Sequence, residues 1–242
     1  MKVLITILLS LIISFNSYSQ KDSTNRKSTK YRFLIAPISL IGLGVYSREN
    51  VFLGRTEIRN FRNNHFNSFH NELDDYLQFA PIGFAYGIGI LPNMKSKNDF
   101  INKSVLLLKS ELLMAGMVYP LKEVMNDKRP DTGAANSWPS GHTAQAFVAA
   151  SFLDHEYRHK SIWISVAAYS CASSVAVFRV LNDRHWSSDV LAGAGIGILA
   201  TEIAYLTHQY KWKNFKFMNK KEISFLPYYQ NRVGGLILSA HL

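Results

Sequence analysis

Three short groups of residues in this sequence combine cations, histidines and a carboxylate at spacings that suit the handling of one phosphate group. The first is Lys122 with Arg129-Pro130, the second Pro139-Ser140-Gly141-His142, and the third Arg179, His185 and Asp189. A guanidinium fork and a lysine point charge match a phosphoryl dianion. A histidine with one ring nitrogen held by a carboxylate has its tautomer fixed and its other nitrogen free to attack. A second histidine can give or take the proton that the reaction needs.

Apolar segments must position these groups. Ser104 to Met125 has a helical pattern and is expected to run on until Pro130 stops it, which would put Lys122 and Arg129, about two turns apart, on one face. Ser140 is placed to cap a helix over Thr143 to Leu153, so that Gly141 and His142 offer backbone N–H groups at a helix N-terminus, a ready anion site. Gly141 has no Cβ to keep an anion away. The third group lies between two apolar segments, Ser161–Val180 and Val190–Leu206. Arg179 closes the first, and the i, i+4 spacing of His185 and Asp189 suggests that both share one helix face at the start of the second.

The ordered pattern Lys-x6-Arg-Pro, Pro-Ser-Gly-His, Arg-x5-His-x3-Asp resembles the signature of the type 2 phosphatidic acid phosphatase (PAP2) family. That family shares its site with bacterial class A acid phosphatases and vanadium haloperoxidases. The resemblance covers roughly residues 75–208, and three spaced motifs in order are far more specific than one short motif. It implies an all-α helical bundle of that type. It also implies His185 as the nucleophile forming a phosphohistidine, Asp189 as its orienting partner and His142 as the general acid. Lys122, Arg129, Arg179 and the Ser140-Gly141 turn would hold the phosphate oxygens; no metal and no cofactor is implied. One position departs: the family usually has Ser before the third-motif Arg, where Phe178 stands here.

The rest of the chain sets the context. Its 242 residues suit one domain, and 48% hydrophobic with 18% charged residues points to a membrane-proximal helical protein. Residues 1–19 read as a secretory signal, with Lys2, an apolar run from Val3 to Phe15, and Ser17-Tyr18-Ser19 before Gln20. Residues 20–32 form a polar linker, 33–209 the phosphatase-like domain, and 210–242 a basic-aromatic segment with a β-hairpin suggested by Ile223–Tyr229 and Val233–Leu238. The lysines and aromatics between Tyr210 and Lys221 suit an anionic lipid surface, and much of the formal charge of +10 lies there. Nucleic acid is a poor partner for an exported protein. Cys171 is the single cysteine, so no intrachain disulfide is possible.

Phe33–Tyr46 is apolar but weakened as a spanning helix by Pro37, Gly42 and Gly44, and Leu77–Leu91 is short for a span. Between them, residues 48–76 read as a solvated surface; His65, His70, Glu72, Asp74 and Asp75 lack the spacing of a metal site. Ser161–Val180 is the strongest spanning candidate, and the small residues of Val190–Leu206 allow close helix packing. An even number of spans before each site loop would keep the site on the outer side of the membrane. Counting Phe33–Tyr46, Leu77–Leu91 and Ser104–Met125 gives three spans and a cytoplasmic site. Leaving Phe33–Tyr46 peripheral gives two and an outer site, and a wholly periplasmic bundle also keeps it outside. The expectation is an outward, periplasmic site in the cell envelope, on short spans or in a membrane-associated bundle.

The expectation is a metal-independent phosphatase acting on phosphomonoester or pyrophosphate groups of lipid-like substrates: phosphatidic acid, undecaprenyl diphosphate or lipid A. Its rivals use other chemistry. The same pocket could hold vanadate as a haloperoxidase, or serve a non-specific acid phosphatase. His155-Glu156-Tyr157-Arg158-His159 fits the zinc-protease pattern His-Glu-x-x-His, although Asp154 and Lys160 flank it. Ser140 with a histidine and Asp189 would make a serine hydrolase lacking its Gly-x-Ser-x-Gly turn. A binder of lipid phosphates would use the cations without turnover.

Overall fold

The computed structural model describes residues 33–49, 54–208, 223–230 and 233–240. The signal segment 1–19, the linker 20–32 and the basic-aromatic stretch 210–221 lie outside the described residues. In chain order the helices are α1 (Ile35–Glu49), α2 (Arg55–His65), α3 (Leu73–Leu77), α4 (Ala80–Gly87), α5 (Phe100–Met125), α6 (Gly141–Tyr157), α7 (Ile162–Leu181) and α8 (Ser187–Leu206). They form a helical bundle. Beyond it, β1 (Ile223–Gln230) and β2 (Val233–Ala240) pair antiparallel, with Ile223 opposite Ala240 and Gln230 opposite Val233.

Local chemistry explains where the long helices begin. Asp99, Ser140 and Ser161 each cap a helix by accepting a backbone N–H, from Asn102, Thr143 and Trp163 respectively. α5 therefore starts at Phe100, earlier than the apolar run suggested. It also stops earlier than Pro130, because Asn126 turns left-handed at φ 47° directly after Met125. The run Leu77–Leu91 is not one helix: Pro81 at the start of α4 and a 3-10 turn over Ile88–Ile90 break it into short pieces.

α8 is the centre of the bundle and packs against α1, α5 and α6. Small residues make that possible. A Cβ on Gly195 would lie 2.6 Å from Pro37 O, and one on Gly44 would lie 2.7 Å from Ala192 N. Gly44, which weakens α1 as a free helix, is thus a point of its contact with α8, whereas a Cβ on Gly42 would meet nothing within 4 Å. Phe152, Tyr157, Ala168, Ala172 and Val175 form the largest core cluster, between α6 and α7.

α5, α7 and α8 are each long and apolar enough to cross a membrane. α8 is mostly enclosed by its neighbours, whereas α5 exposes Leu108, Leu112 and Tyr119, and α7 exposes Trp163, Val166 and Val177. Two outward apolar faces of that length need an apolar solvent, and the chain is a membrane protein. Because α5 ends, α6 begins, α7 ends and α8 begins at the same end of the bundle, the α5–α6 and α7–α8 connections meet there. These connections carry all three sequence motifs.

Candidate active site

The α5–α6 connection is folded on itself before it reaches the site. Arg129 N donates to Ala134 O at 2.9 Å, Gly133 N to Arg129 O at 3.2 Å, and Ser137 N to Asp127 O at 2.8 Å. Gly133 supplies the positive φ of 70° that this turn requires. A cis peptide joins Trp138 to Pro139 just before the cap Ser140. The loop then meets α8 directly, because Ser140 N donates to Asp189 O at 3.0 Å. So close an approach is open only to a glycine on α8: a Cβ at Gly193 would stand 2.5 Å from Ser140 O.

His185 does not lie on α8. The helix has Trp186 as its N-cap, and Asp189, at its third position, turns back to accept from Trp186 N at 3.0 Å. The same Asp189 Oδ2 stands 3.2 Å from His185 Nδ1 and accepts from Ser137 Oγ, while Oδ1 accepts from Ser188 Oγ at 3.0 Å. The pairing expected from a shared helix face is therefore made by a capping carboxylate. Asp189 is fully buried and His185 nearly so. Burial pulls the imidazole down to about 4, with Asp189 working against that and Arg179 and Arg129 adding to it. The ring is neutral at neutral pH, and with Nδ1 held by a carboxylate its lone pair sits on Nε2.

The cations come from three elements. Lys122, in the last turn of α5, donates from Nζ to Asn136 O at 2.6 Å and Ser137 O at 3.4 Å. Arg129 Nε donates to Asn136 Oδ1 at 2.7 Å. Lys122 and Arg129 do not share a helix face, since the helix ends between them; they converge on Asn136 because the loop folds back. Arg179, 6% exposed at the end of α7, pairs through Nη1 with Asp74 Oδ2 at 2.8 Å. Its buried Nε has no hydrogen-bond partner among the described residues, which suits an anion.

His142 is the second residue of α6. Its Nε2 lies 2.9 Å from Asp75 Oδ1, and Arg179 Nη1 lies 3.6 Å from that same oxygen. Burial and Arg179 pull the His142 pKa below the usual histidine value, while Asp75 and Asp74 oppose them. Ser140 is completely buried, and its Oγ accepts from Thr143 N at 3.4 Å and Thr143 Oγ1 at 3.0 Å. That arrangement leaves its O–H to donate, and engages it as a cap rather than with a base.

The structure also recruits residues that the sequence reading left on a solvated surface. Arg55, Arg59 and Arg62 recur at helical spacing on α2 and grip both site loops. Arg55 pairs with Asp127 at 2.8 Å, Arg59 with Asp183 at 2.9 Å, and Arg62 donates to Leu181 O at 2.8 Å. Arg48 of α1 joins Arg55 on Asp127; burial pushes that carboxyl upward, but their hydrogen bonds outweigh it and hold it below the usual range. The Arg55 and Arg59 guanidiniums stack on the Trp186 ring, 5.4 and 5.2 Å from its centre. Asp74 and Asp75 belong to the site itself, where two adjacent acids were the only sequence signal. Phe178 turns its ring onto Phe69, with centres 6.0 Å apart.

The zinc-protease pattern is spent on structure. α6 ends at Tyr157, so His159 is off the helix in an exposed turn. Glu156 is buried and accepts from Asn98 Nδ2 and Tyr205 Oη, both at 2.7 Å, and His155 pairs with Glu202 at 3.0 Å. No group of metal-ligating side chains occurs among the described residues, and exposed His65 bonds Phe61 O of its own helix at 2.9 Å.

Comparison with known proteins bears on the same region. A sequence profile described as the PAP2 superfamily matches residues 104–213. A lipid A 1-phosphatase of Porphyromonas gingivalis is 38% identical over 173 residues, covering 68% of this chain and 38% of that protein. The chain thus spans 38% of the length of that relative. Among solved structures, a transmembrane PAP2 type phosphatidylglycerolphosphate phosphatase from Bacillus subtilis superposes with a TM-score of 0.52 at 19% identity. That match covers 74% of this chain and 98% of the other, a likeness of fold. Aquifex aeolicus LpxE superposes with a TM-score of 0.47 at 22% identity, covering 61% and 93% of the respective chains.

Proposed function

Because this chain belongs to the PAP2 superfamily, we propose that it is a metal-independent lipid phosphate phosphatase working through a phosphohistidine at His185. The observation that carries this reading is the set of a buried neutral His185, its Nδ1 on Asp189, beside an Arg179 whose Nε has no partner among the described residues. His185 Nε2 attacks phosphorus, and the bond to the leaving oxygen breaks as His142 gives that oxygen a proton. Asp189 offsets the positive charge that develops on His185. Lys122, Arg129 and Arg179, with the Ser140 hydroxyl and the Gly141 N–H, take the phosphoryl oxygens. Water then attacks the phosphohistidine, His142 takes the proton of that water, and inorganic phosphate leaves.

The kinship with a lipid A 1-phosphatase favours the 1-phosphate of a lipid A type glycolipid as the substrate, ahead of phosphatidic acid or undecaprenyl diphosphate. In this reading the site faces the periplasmic side, which requires an even number of spans before each site loop. The test is phosphate release by the full chain in detergent with EDTA, from lipid A bearing a 1-phosphate and from short-chain phosphatidic acid. Turnover that survives EDTA, falls with vanadate and disappears in His185→Ala supports the mechanism. Preference for the phosphatidic acid would overturn the choice of lipid. Halide oxidation with added vanadate and no phosphate release would favour the haloperoxidase reading.

A further inference from the structure

Two adjacent acids on the five-residue helix α3 have different duties. Asp74 is 1% exposed and is used by Arg179 at 2.8 Å. Asp75 has a half-exposed side chain and is turned to His142, 67 positions further along the chain, where its Oδ1 is 2.9 Å from Nε2. That carboxylate is the ion-pair partner of the His142 ring. We propose that Asp75 is the positioning residue of His142, the counterpart of what Asp189 is to His185: it fixes the imidazole orientation and keeps a proton on it for the leaving oxygen. The proposal rests on the reading that His142 is the acid of the phosphatase reaction.

The two histidines need opposite protonation states at one pH. His185 must be neutral to attack, and burial ensures that. His142 must be charged to donate, in surroundings that discourage charge. The charged groups that act on it are Arg179 from α7, which repels a proton, and Asp75 and Asp74 from α3, which attract one. The site's other charged and titratable groups are His185 and Asp189 at the start of α8, Lys122 at the end of α5 and Arg129 in the loop after it. Arg179 is close to Asp74, at 2.8 Å, and further from Asp75, at 3.6 Å, whereas Asp75 is 2.9 Å from His142 Nε2, so the carboxylate placed to hold a proton on His142 is that of Asp75. With Nε2–H held by Asp75, the proton on Nδ1 is the one left to give. A carboxylate that only tied α3 to the bundle would have no reason to choose the catalytic imidazole over solvent.

The experiment compares wild type, Asp75→Asn and Asp75→Glu as full chains in detergent, with kcat/KM followed against pH on two esters. Dodecyl phosphate has an alkoxide leaving group that needs a proton; p-nitrophenyl phosphate has a leaving group that departs without one. Asp75→Asn is expected to lose about 10- to 100-fold on dodecyl phosphate and under about threefold on p-nitrophenyl phosphate. Its basic pH limb should move down by about one pH unit. Asp75→Glu should restore most of both. Equal losses on the two esters with an unmoved limb would overturn the proposal and leave Asp75 as a brace for α3. Turnover of either ester by His185→Ala would instead bring down the phosphohistidine reading, and this proposal with it.

Discussion

Asp189 Oδ2 stands 3.2 Å from His185 Nδ1 although His185 lies outside the helix that carries Asp189. The carboxylate caps its own helix through Trp186 N and reaches the imidazole with the same oxygen. Helix start and the orientation of the His185 ring are one interaction, so a change at Asp189 acts on both.

Asp189→Asn is isosteric and retains one acceptor oxygen for the cap, but it cannot offset the charge that forms on His185. It should lose about 100-fold or more in kcat with a small change in KM. Rapid-quench trapping of the phosphorylated protein checks this, since the defect belongs to formation of the phosphohistidine.

The depressed His185 pKa has a signed consequence for stability. The folded ring takes a proton only near pH 4, whereas its unfolded value is 6.5. Between those values the unfolded chain binds the proton more readily, so stability is full above pH 6.5 and falls as pH drops toward 4. His185→Gln should flatten the dependence of melting temperature on pH in that window. An unchanged slope would place the acid sensitivity elsewhere.

Arg179 and Asp74 form a buried ion pair at 2.8 Å. Removing one partner leaves the other charge buried and uncompensated, so Asp74→Ala should cost about 3–5 kcal/mol. Asp74→Asn, which keeps an acceptor, should cost less. Thermal unfolding in detergent separates the two.

At Gly193 an added methyl would meet Ser140 O at 2.5 Å, whereas at Gly42 nothing lies within 4 Å. Gly193→Ala should displace Ser140 and the start of α6 with His142, lowering both activity and melting temperature. Gly42→Ala, in a helix with open space, should be neutral or stabilise by about 0.5–1 kcal/mol. Equal effects at the two positions would argue against the close approach of α8 to that loop.

The α2 clamp joins both site loops through Asp127, Pro130 O, Asp183 and Leu181 O. Arg59→Ala removes the ion pair to Asp183, the bond to Pro130 O and the stacking on Trp186. It should lower kcat through loop disorder, visible as faster hydrogen exchange in residues 126–136 and 181–186. Arg59→Lys, lacking the planar fork, should rescue it poorly.

The sequence by itself marked the candidate site: Lys122, Arg129, Ser140, Gly141, His142, Arg179, His185 and Asp189 stand out because residue type and short spacing directly limit what such groups can do. It determined the long helices as well, since apolar runs with Ser caps specify them locally. What it could not show depends on chain brought back through space. The helix end at Asn126 was hidden because a left-handed turn is decided by one residue, and the polar residues between Met125 and Pro130 do not by themselves forbid further helix. Asp74 meets Arg179 across 105 positions, and Asp75 reads as one more exposed acid until α3 packs beside α6. Gly44 looked like a helix weakener because its value lies in the neighbour it admits. Tertiary structure decided these points, since ion pairs and close backbone approaches are set by distance in space, and distance along the chain does not encode it.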